Sequence, residues 1–452
     1  MSGLAEQLAV GADDAVWGGL TPCGTSSWEA LGEPVLRPRV RRLAAVFGLP
    51  ACSRADAWYE LSGARRLRDA AGEGVYRRAL DAGSRGGFIG PRLSRQVEVD
   101  VIRTFAEHAE FFACPQSGGC ERGALDAGAA ADESGAECAG RGSLAAGLRR
   151  VLRATCILNP RVGYVQGLNY IGGLLLVVHE LARKAKQGAG QAGAAGGAVA
   201  EEAASEAAVG APEASEASEA PEASEASEAS EASEASEAAE AAAAVALVRD
   251  RAEAEERCAW VLHAVTTRVW PGLFEPTLSG CRVAMQAAES VLRARVPRAA
   301  TALDECGLGL SLVVPRVLLS GFVSAMPLAD AARCWDATLL AAAGRSDVDF
   351  ASSALRLGVQ ICCGVLRACA NGLARAVQLG EAQRFQAVAM VLQDLTPASG
   401  SVLEHALKAP CRLTPAEFRA EWEKAALAAA VPAQRQARPV RWTRGHRAPR
   451  HR

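Results

Sequence analysis

Apolar residues recur at three- and four-residue spacing through long parts of this chain, as in SRADAWYELSGARRLRDAAG from Ser53 and SRQVEVDVIRTFAEHAEFF from Ser94. That spacing lines one face of an α-helix, so each segment is read as a short amphipathic helix. RVRRLAAVFG from Arg39 carries the same pattern, which resumes at Leu144 after a break. Farther on, AEERCAWVLHAVTTRVW from Ala254, CRVAMQAAESVLRARVP from Cys281 and PRVLLSGFVSAMPLADAARCWDATLLAAAG from Pro315 are helical again. Pro297, Pro315 and Pro327 read as punctuation between helices, which continue to about Ala430. No alternating β-branched run of useful length occurs, and the expected class is all-α.

The breaks in this pattern divide the chain. Residues 1–38 are rich in Gly, Pro and small polar residues and read as a flexible leader. One helical domain is expected over 39–430, interrupted by insertions at about 113–142 and 187–244. The first, rich in Gly, Ala and Ser, reads as a surface insertion. The second contains SEASEASEASEASEAAE and no hydrophobic stripe that could dock it. Alanine and glutamate favour helix, yet glutamates three apart repel along a helix face, so disorder with transient helix is expected. Residues 431–452 read as a basic disordered tail.

Composition narrows the class further. Half of the residues are hydrophobic and only 5% aromatic, which suits an aliphatic helical core. The formal net charge of −2 argues against a protein built to coat nucleic acid or an anionic membrane. It averages two opposed segments, thirteen glutamates between Glu201 and Glu240 and seven arginines from Arg435 to Arg452. The arginine-rich end, with Trp442 among its charges, leaves contact with an anionic membrane, nucleic acid or the acidic tract open beside plain disorder, the preferred reading. The fourteen cysteines show no C-x2-C pair of the kind a structural zinc site uses, and reduced, mostly buried thiols are expected. The N-terminus lacks the basic start and apolar run of a secretory signal, and the apolar stretches around Leu174 and Leu308 are too short or broken to span a membrane. The expected location is therefore cytoplasmic.

Two segments carry candidate chemistry. In VEVDVIRTF, Val97, Asp100 and Arg103 fall near one helix face, which sets an acid beside an arginine. Spacing alone is more simply read as a surface ion pair. In NPRVGYVQGLNY, from Asn159, a Pro- and Gly-containing turn leads into an apolar helix with Gln166 and Asn169 at its mouth. Gln166 could cap that helix, or face outward where Gly163 and Gly167 relieve crowding and allow close approach of another backbone.

Taken together, D-x-x-R followed by Y-x-Q-G-x-N resembles the signature of TBC-domain Rab GTPase-activating proteins. Two further segments strengthen the resemblance. Arg54 to Trp58, with Leu61 and Gly63, is similar to the family's opening R-x-x-x-W helix, and Met326-Pro327-Leu328 followed by Arg333, Trp335 and Asp336 is similar to its L-P and R-x-W-D segment. The resemblance implies a multi-helix, V-shaped domain whose groove receives a GTP-bound Rab-family GTPase. It implies catalytic roles for Arg103 and Gln166, an arginine finger held by Asp100, and a glutamine loop supported by Tyr164, Gly167 and Asn169. Arg54 is grouped with these supporting and partner-binding residues, although packing beneath the groove is preferred for it, as for Trp58, Arg333, Trp335 and Asp336. Val97 and Leu168 depart from the family's usual side chains but remain apolar.

The expected function is acceleration of GTP hydrolysis in trans, in vesicle trafficking, with a non-catalytic Rab-binding effector or scaffold as the alternative. No independent hydrolase activity and no resident cofactor or metal are expected, since GTP and Mg2+ belong to the partner and the chain has no G-x-x-x-x-G-K-[ST] loop. Nucleic acid is not an expected partner, and peripheral contact with endomembranes through the basic tail is left open.

Overall fold

A computed structural model describes residues 48–84, 89–105, 144–206, 225–393 and 401–430. Helix α1 (Ala51–Leu61) follows Pro50 and stops at Ser62 and Gly63, whose positive φ of 83° turns the chain into α2 (Ala64–Ala71). Next come α3 (Val75–Ser84) and α4 (Pro91–Arg103), the latter opening with proline in its first turn, where the missing N–H costs nothing. Helix α5 (Leu144–Leu158) ends in the glycine-containing turn that leads to α6 (Leu168–Glu206), and α7 (Glu225–Ala264) closes the first half in a π-helical turn, Val265–Val269. The second half contains α8 (Ser279–Arg295), α9 (Pro297–Glu305), α10 (Leu310–Leu319), a short 3-10 turn (Val323–Ala325), α11 (Leu328–Ala342), α12 (Asp347–Val377), α13 (Glu381–Gln393), α14 (Ser401–Leu407) and α15 (Pro415–Ala430). Every regular element among the described residues is helical, as the hydrophobic spacing requires.

Three readings of the sequence need adjusting. Pro297 and Pro327 do sit at helix starts, but Pro315 lies inside α10. The carbonyl it leaves without an N–H partner belongs to Ser311, which is exposed, so water can satisfy it. Helix also enters both ends of the Glu-Ala-Ser tract, to Glu206 and from Glu225, as the propensities of alanine and glutamate allow. Finally, the sequence reading passed over α12, which by length and composition could cross a membrane. Two thirds of its most apolar window (67%) is buried inside the protein instead, and the helix packs chiefly against α14, α11, α9 and α13. Gly364 allows the closest of these approaches, because a Cβ there would stand 2.4 Å from the Val402 carbonyl oxygen. The leader to residue 38, the RVRRLAAVFG segment to Phe47, the 113–142 insertion and the 431–452 tail lie outside the described residues.

A buried aromatic cluster joins the two halves. Trp335 of α11 packs 5.0 Å from Trp270, 6.2 Å from Trp58 and 6.1 Å from Phe322, centroid to centroid. Its indole N–H donates to the Gly321 carbonyl at 3.0 Å, which fixes the short 3-10 turn beside it. Beneath the cluster Asp336, fully buried, accepts from Arg54 Nε at 3.2 Å, Trp58 Nε1 at 2.7 Å and the Leu49 amide at 2.8 Å. One carboxylate thus ties α1 and the segment before it to α11. Eight of the ten described cysteines are buried.

Candidate functional site

Helix α4 turns Val97, Asp100 and Val101 inward and leaves Ile102 and Arg103 exposed. At Thr104 the backbone becomes extended, and at Phe105 it takes a positive φ of 53°, so Arg103 stands at the helix's last turn. The second segment leaves α5 through Asn159, whose side-chain amide donates to Thr266 Oγ1 at 3.1 Å. It then passes Gly163, at φ 62°, and Gly167, at φ 114°, before α6 begins. Gln166 is exposed between the buried Tyr164 and Gly167. Glycine is required at 167 twice over, because a Cβ would meet the Leu319 carbonyl oxygen at 2.3 Å and the φ excludes ordinary side chains. Gly163 is needed for its φ alone, as its nearest neighbour would be Leu93 at 3.6 Å.

Two bridges lock the segments together. Tyr164 donates its hydroxyl to Asp100 Oδ2 at 2.8 Å, and burial together with this bond pushes the phenol well above its ordinary pKa, keeping it a donor. Asn169 accepts from the Gly167 amide at 3.0 Å and donates to Thr104 Oγ1 at 2.9 Å, while Thr104 donates to the Asp100 carbonyl at 2.7 Å. Each bridge ends within three residues of Arg103 on one side and of Gln166 on the other. The small Gly173 on α6 admits this junction, since a Cβ there would press on Phe105 at 2.7 Å and Thr104 at 2.9 Å.

Arg103 and Gln166 border one cavity of about 800 Å3, walled also by Tyr170, Leu278, Arg316, Leu319, Val323 and Pro327. Neither side chain makes a hydrogen bond or ion pair with another described residue, which leaves both polar ends available to a visitor. The wall across from α4 is held by Arg316, whose guanidinium donates to the Ser324 carbonyl at 2.7 Å and the Leu392 carbonyl at 2.6 Å. No cluster of three or more His, Cys, Asp or Glu that could hold a metal occurs among the described residues.

One expected role changes, and for Arg54 the packing reading replaces the partner-binding one. Asp100 makes no described contact with Arg103; its carboxylate is spent on Tyr164, so it braces the glutamine turn rather than the arginine. Arg54 is 3% exposed and paired with Asp336, so it is internal and cannot meet a partner. Trp58, Trp335 and Asp336 form the buried junction described above, and Arg333 stands 3.7 Å from Asp330 on α11.

The family description of the Rab-GTPase-TBC domain matches residues 139–185 and 240–358. Over these residues the chain carries a match to the TBC domain. The GTPase-activating protein MSB4 of Saccharomyces cerevisiae is 31% identical over 133 residues, 29% of this chain and 22% of that protein. Growth hormone-regulated TBC protein 1 of Homo sapiens is 22% identical over 68% of this chain and 62% of its own length. The chain therefore spans less than two thirds of these relatives. The solved Chlamydomonas flagellar RabGAP TBC domain is 15% identical over 89% of this chain and 93% of its own, with a TM-score of 0.49.

The matched segments of the TBC domain contain Tyr164, Gln166, Gly167, Asn169, Arg333, Trp335 and Asp336, while Arg54, Trp58, Asp100 and Arg103 lie outside them. Arg103 accordingly stands on its position in the fold, beside the glutamine turn. Thr104 is the residue that sequence reading missed here. Its signal was adjacency to Arg103, but nothing in the sequence showed that its hydroxyl would meet Asn169.

Thr104→Val keeps the shape of the side chain and removes its hydroxyl, leaving the buried Asn169 amide only the long 3.5 Å contact with the Asp100 carbonyl. A loss of about 1–3 kcal/mol is expected in denaturant unfolding. Thr104→Ser should recover most of it.

Proposed function

We propose that this TBC domain accelerates GTP hydrolysis by a Rab-family GTPase, with Arg103 and Gln166 entering the partner's nucleotide site. One observation carries the reading: both side chains are exposed and, among the described residues, unpartnered on one cavity, and the bridges Tyr164–Asp100 and Asn169–Thr104 hold their backbones in a single frame. Rigid placement of this kind is what positioning catalysis needs. The yeast relative, itself named a GTPase-activating protein, supports the same reading.

The chemistry suits the residue types. Hydrolysis moves negative charge onto phosphoryl oxygens, and a planar guanidinium that stays charged can stabilise them with directed hydrogen bonds. The amide of Gln166 can accept from the attacking water and donate toward the transferring group. GTP and Mg2+ come with the GTPase, which supplies the phosphate site and the metal's charge. The domain adds two side chains to a site formed on another protein, and it works in the cytoplasm, on endomembranes where such GTPases reside.

Single-turnover hydrolysis by a panel of purified, GTP-loaded Rab proteins tests this. Acceleration of at least one by the wild-type chain is expected. Tight binding with unchanged hydrolysis across the panel would replace the activator by a binding module that uses the same groove.

A further inference from the structure

Among the described residues, three that are not glycine hold left-handed backbone: Phe105 at φ 53°, Leu278 at φ 50° and Phe322 at φ 72°. Side chains of this kind seldom adopt that region, and such conformations persist only where the surroundings over-determine them. For the two phenylalanines the surroundings are plain. Phe105 is 3% exposed and packs edge-on against Tyr170 at 6.1 Å, and Phe322 is fully buried with Trp270 5.6 Å away.

Leu278 has no such cover. Its side chain is 37% exposed and stands on the same cavity as Arg103 and Gln166. It occupies the N-cap of α8 and offers no side-chain cap, although glycine or asparagine there would take this φ more easily and suit the cap better. Its backbone is fixed on both sides, the Leu278 amide donating to the Glu275 carbonyl at 2.8 Å and the Arg282 amide to the Leu278 carbonyl at 2.9 Å. The position is thus costly to fold twice over, in backbone conformation and in exposed apolar surface. Ile102, next to Arg103, adds a second exposed apolar side chain, at 64%.

We infer that Leu278 is a docking residue for the GTPase, held out by strained backbone so that an apolar patch beside the partner's nucleotide site covers it. The inference rests on the function proposed above and names a contact of that same site. Covering Leu278 also removes water from the edge of the cavity, and charge on Arg103 acts more strongly in a drier surround. Leu278 acts through binding and touches no reacting atom.

The test uses the full chain and the Rab panel loaded with a non-hydrolysable GTP analogue, reading affinity by calorimetry and the thermal midpoint of the chain alone. Leu278→Gly and Leu278→Asn are expected to raise the midpoint by about 2 °C, by relieving the backbone. The same two variants should bind about 10-fold more weakly, because the apolar contact is gone. Leu278→Met keeps an apolar side chain, so it should hold affinity within about 3-fold of wild type without raising the midpoint. Wild-type affinity in the Gly and Asn variants, or an unchanged or lowered midpoint, overturns the inference. Hydrolysis measured alongside separates the two claims: a wild type that binds without accelerating removes the activator reading, whereas one that accelerates equally with Leu278→Gly at unchanged affinity removes only the docking role. A wild-type chain that binds no member of the panel overturns both.

Discussion

Replacing Arg103 with alanine is expected to slow single-turnover GTP hydrolysis in the complex by about 10³-fold or more, toward the GTPase's unaided rate. Arginine fingers supplied to GTPases contribute about 10³ to 10⁵ in rate, which is roughly 4 to 7 kcal/mol of barrier. The structure makes the variant clean to interpret. Arg103 is exposed and makes no hydrogen bond or ion pair with another described residue, so its removal should leave the unfolding free energy within about 0.5 kcal/mol of wild type. Loss of rate without loss of fold then isolates the transition-state contact. Arg103→Lys should recover little, since a point charge cannot reproduce the planar donor pair. Gln166→Ala is expected to cost less than the arginine variant, and the double variant less than the sum of the two, because both groups serve one transition state. Undiminished acceleration by Arg103→Ala would remove the arginine from the mechanism whatever became of the fold.

How far the sequence disclosed this site depends on the kind of contact. Helices were legible because apolar spacing is local, and Gly167 was legible because glycine beside a polar residue in a turn signals close approach; the approaching group is the Leu319 carbonyl, 152 positions away in sequence. Long-range pairings were not legible. D-x-x-R spacing suggested that Asp100 holds Arg103, yet the carboxylate meets Tyr164, 64 residues on, because burial of Asp100 and exposure of Arg103 send neighbouring side chains apart. Thr104 was passed over for the same reason, its partner Asn169 being 65 residues distant. Leu278 left no trace at all. Nothing in Glu-Pro-Thr-Leu-Ser indicates a positive φ at leucine, and only the folded backbone reveals it.

The largest stability effect is expected where no catalysis occurs. Asp336→Ala removes the carboxylate that accepts from three donors of the buried junction: Arg54 Nε, the Trp58 indole N–H and the Leu49 amide. Arg54, 3% exposed, would lose the Asp336 carboxylate, and breaking a buried pair from one side costs about 3–5 kcal/mol. That is a large part of the roughly 5–15 kcal/mol by which folded domains are stable. Asp336→Asn should be milder, because the amide oxygen can still accept from Trp58 while the charge is lost. The decisive comparison is the pair Arg54→Met with Asp336→Ala: removing the cation as well should recover part of the loss, since the buried charge deprived of the Asp336 carboxylate contributes to it. A double variant as unstable as the sum of the two singles would show that Arg54 and Asp336 act independently. Activity should follow stability here. Helix α11 carries Asp336 and begins at Leu328, beside the Met326 and Pro327 that wall the cavity, so loosening the junction releases one side of the site while Arg103 and Gln166 remain in their frame.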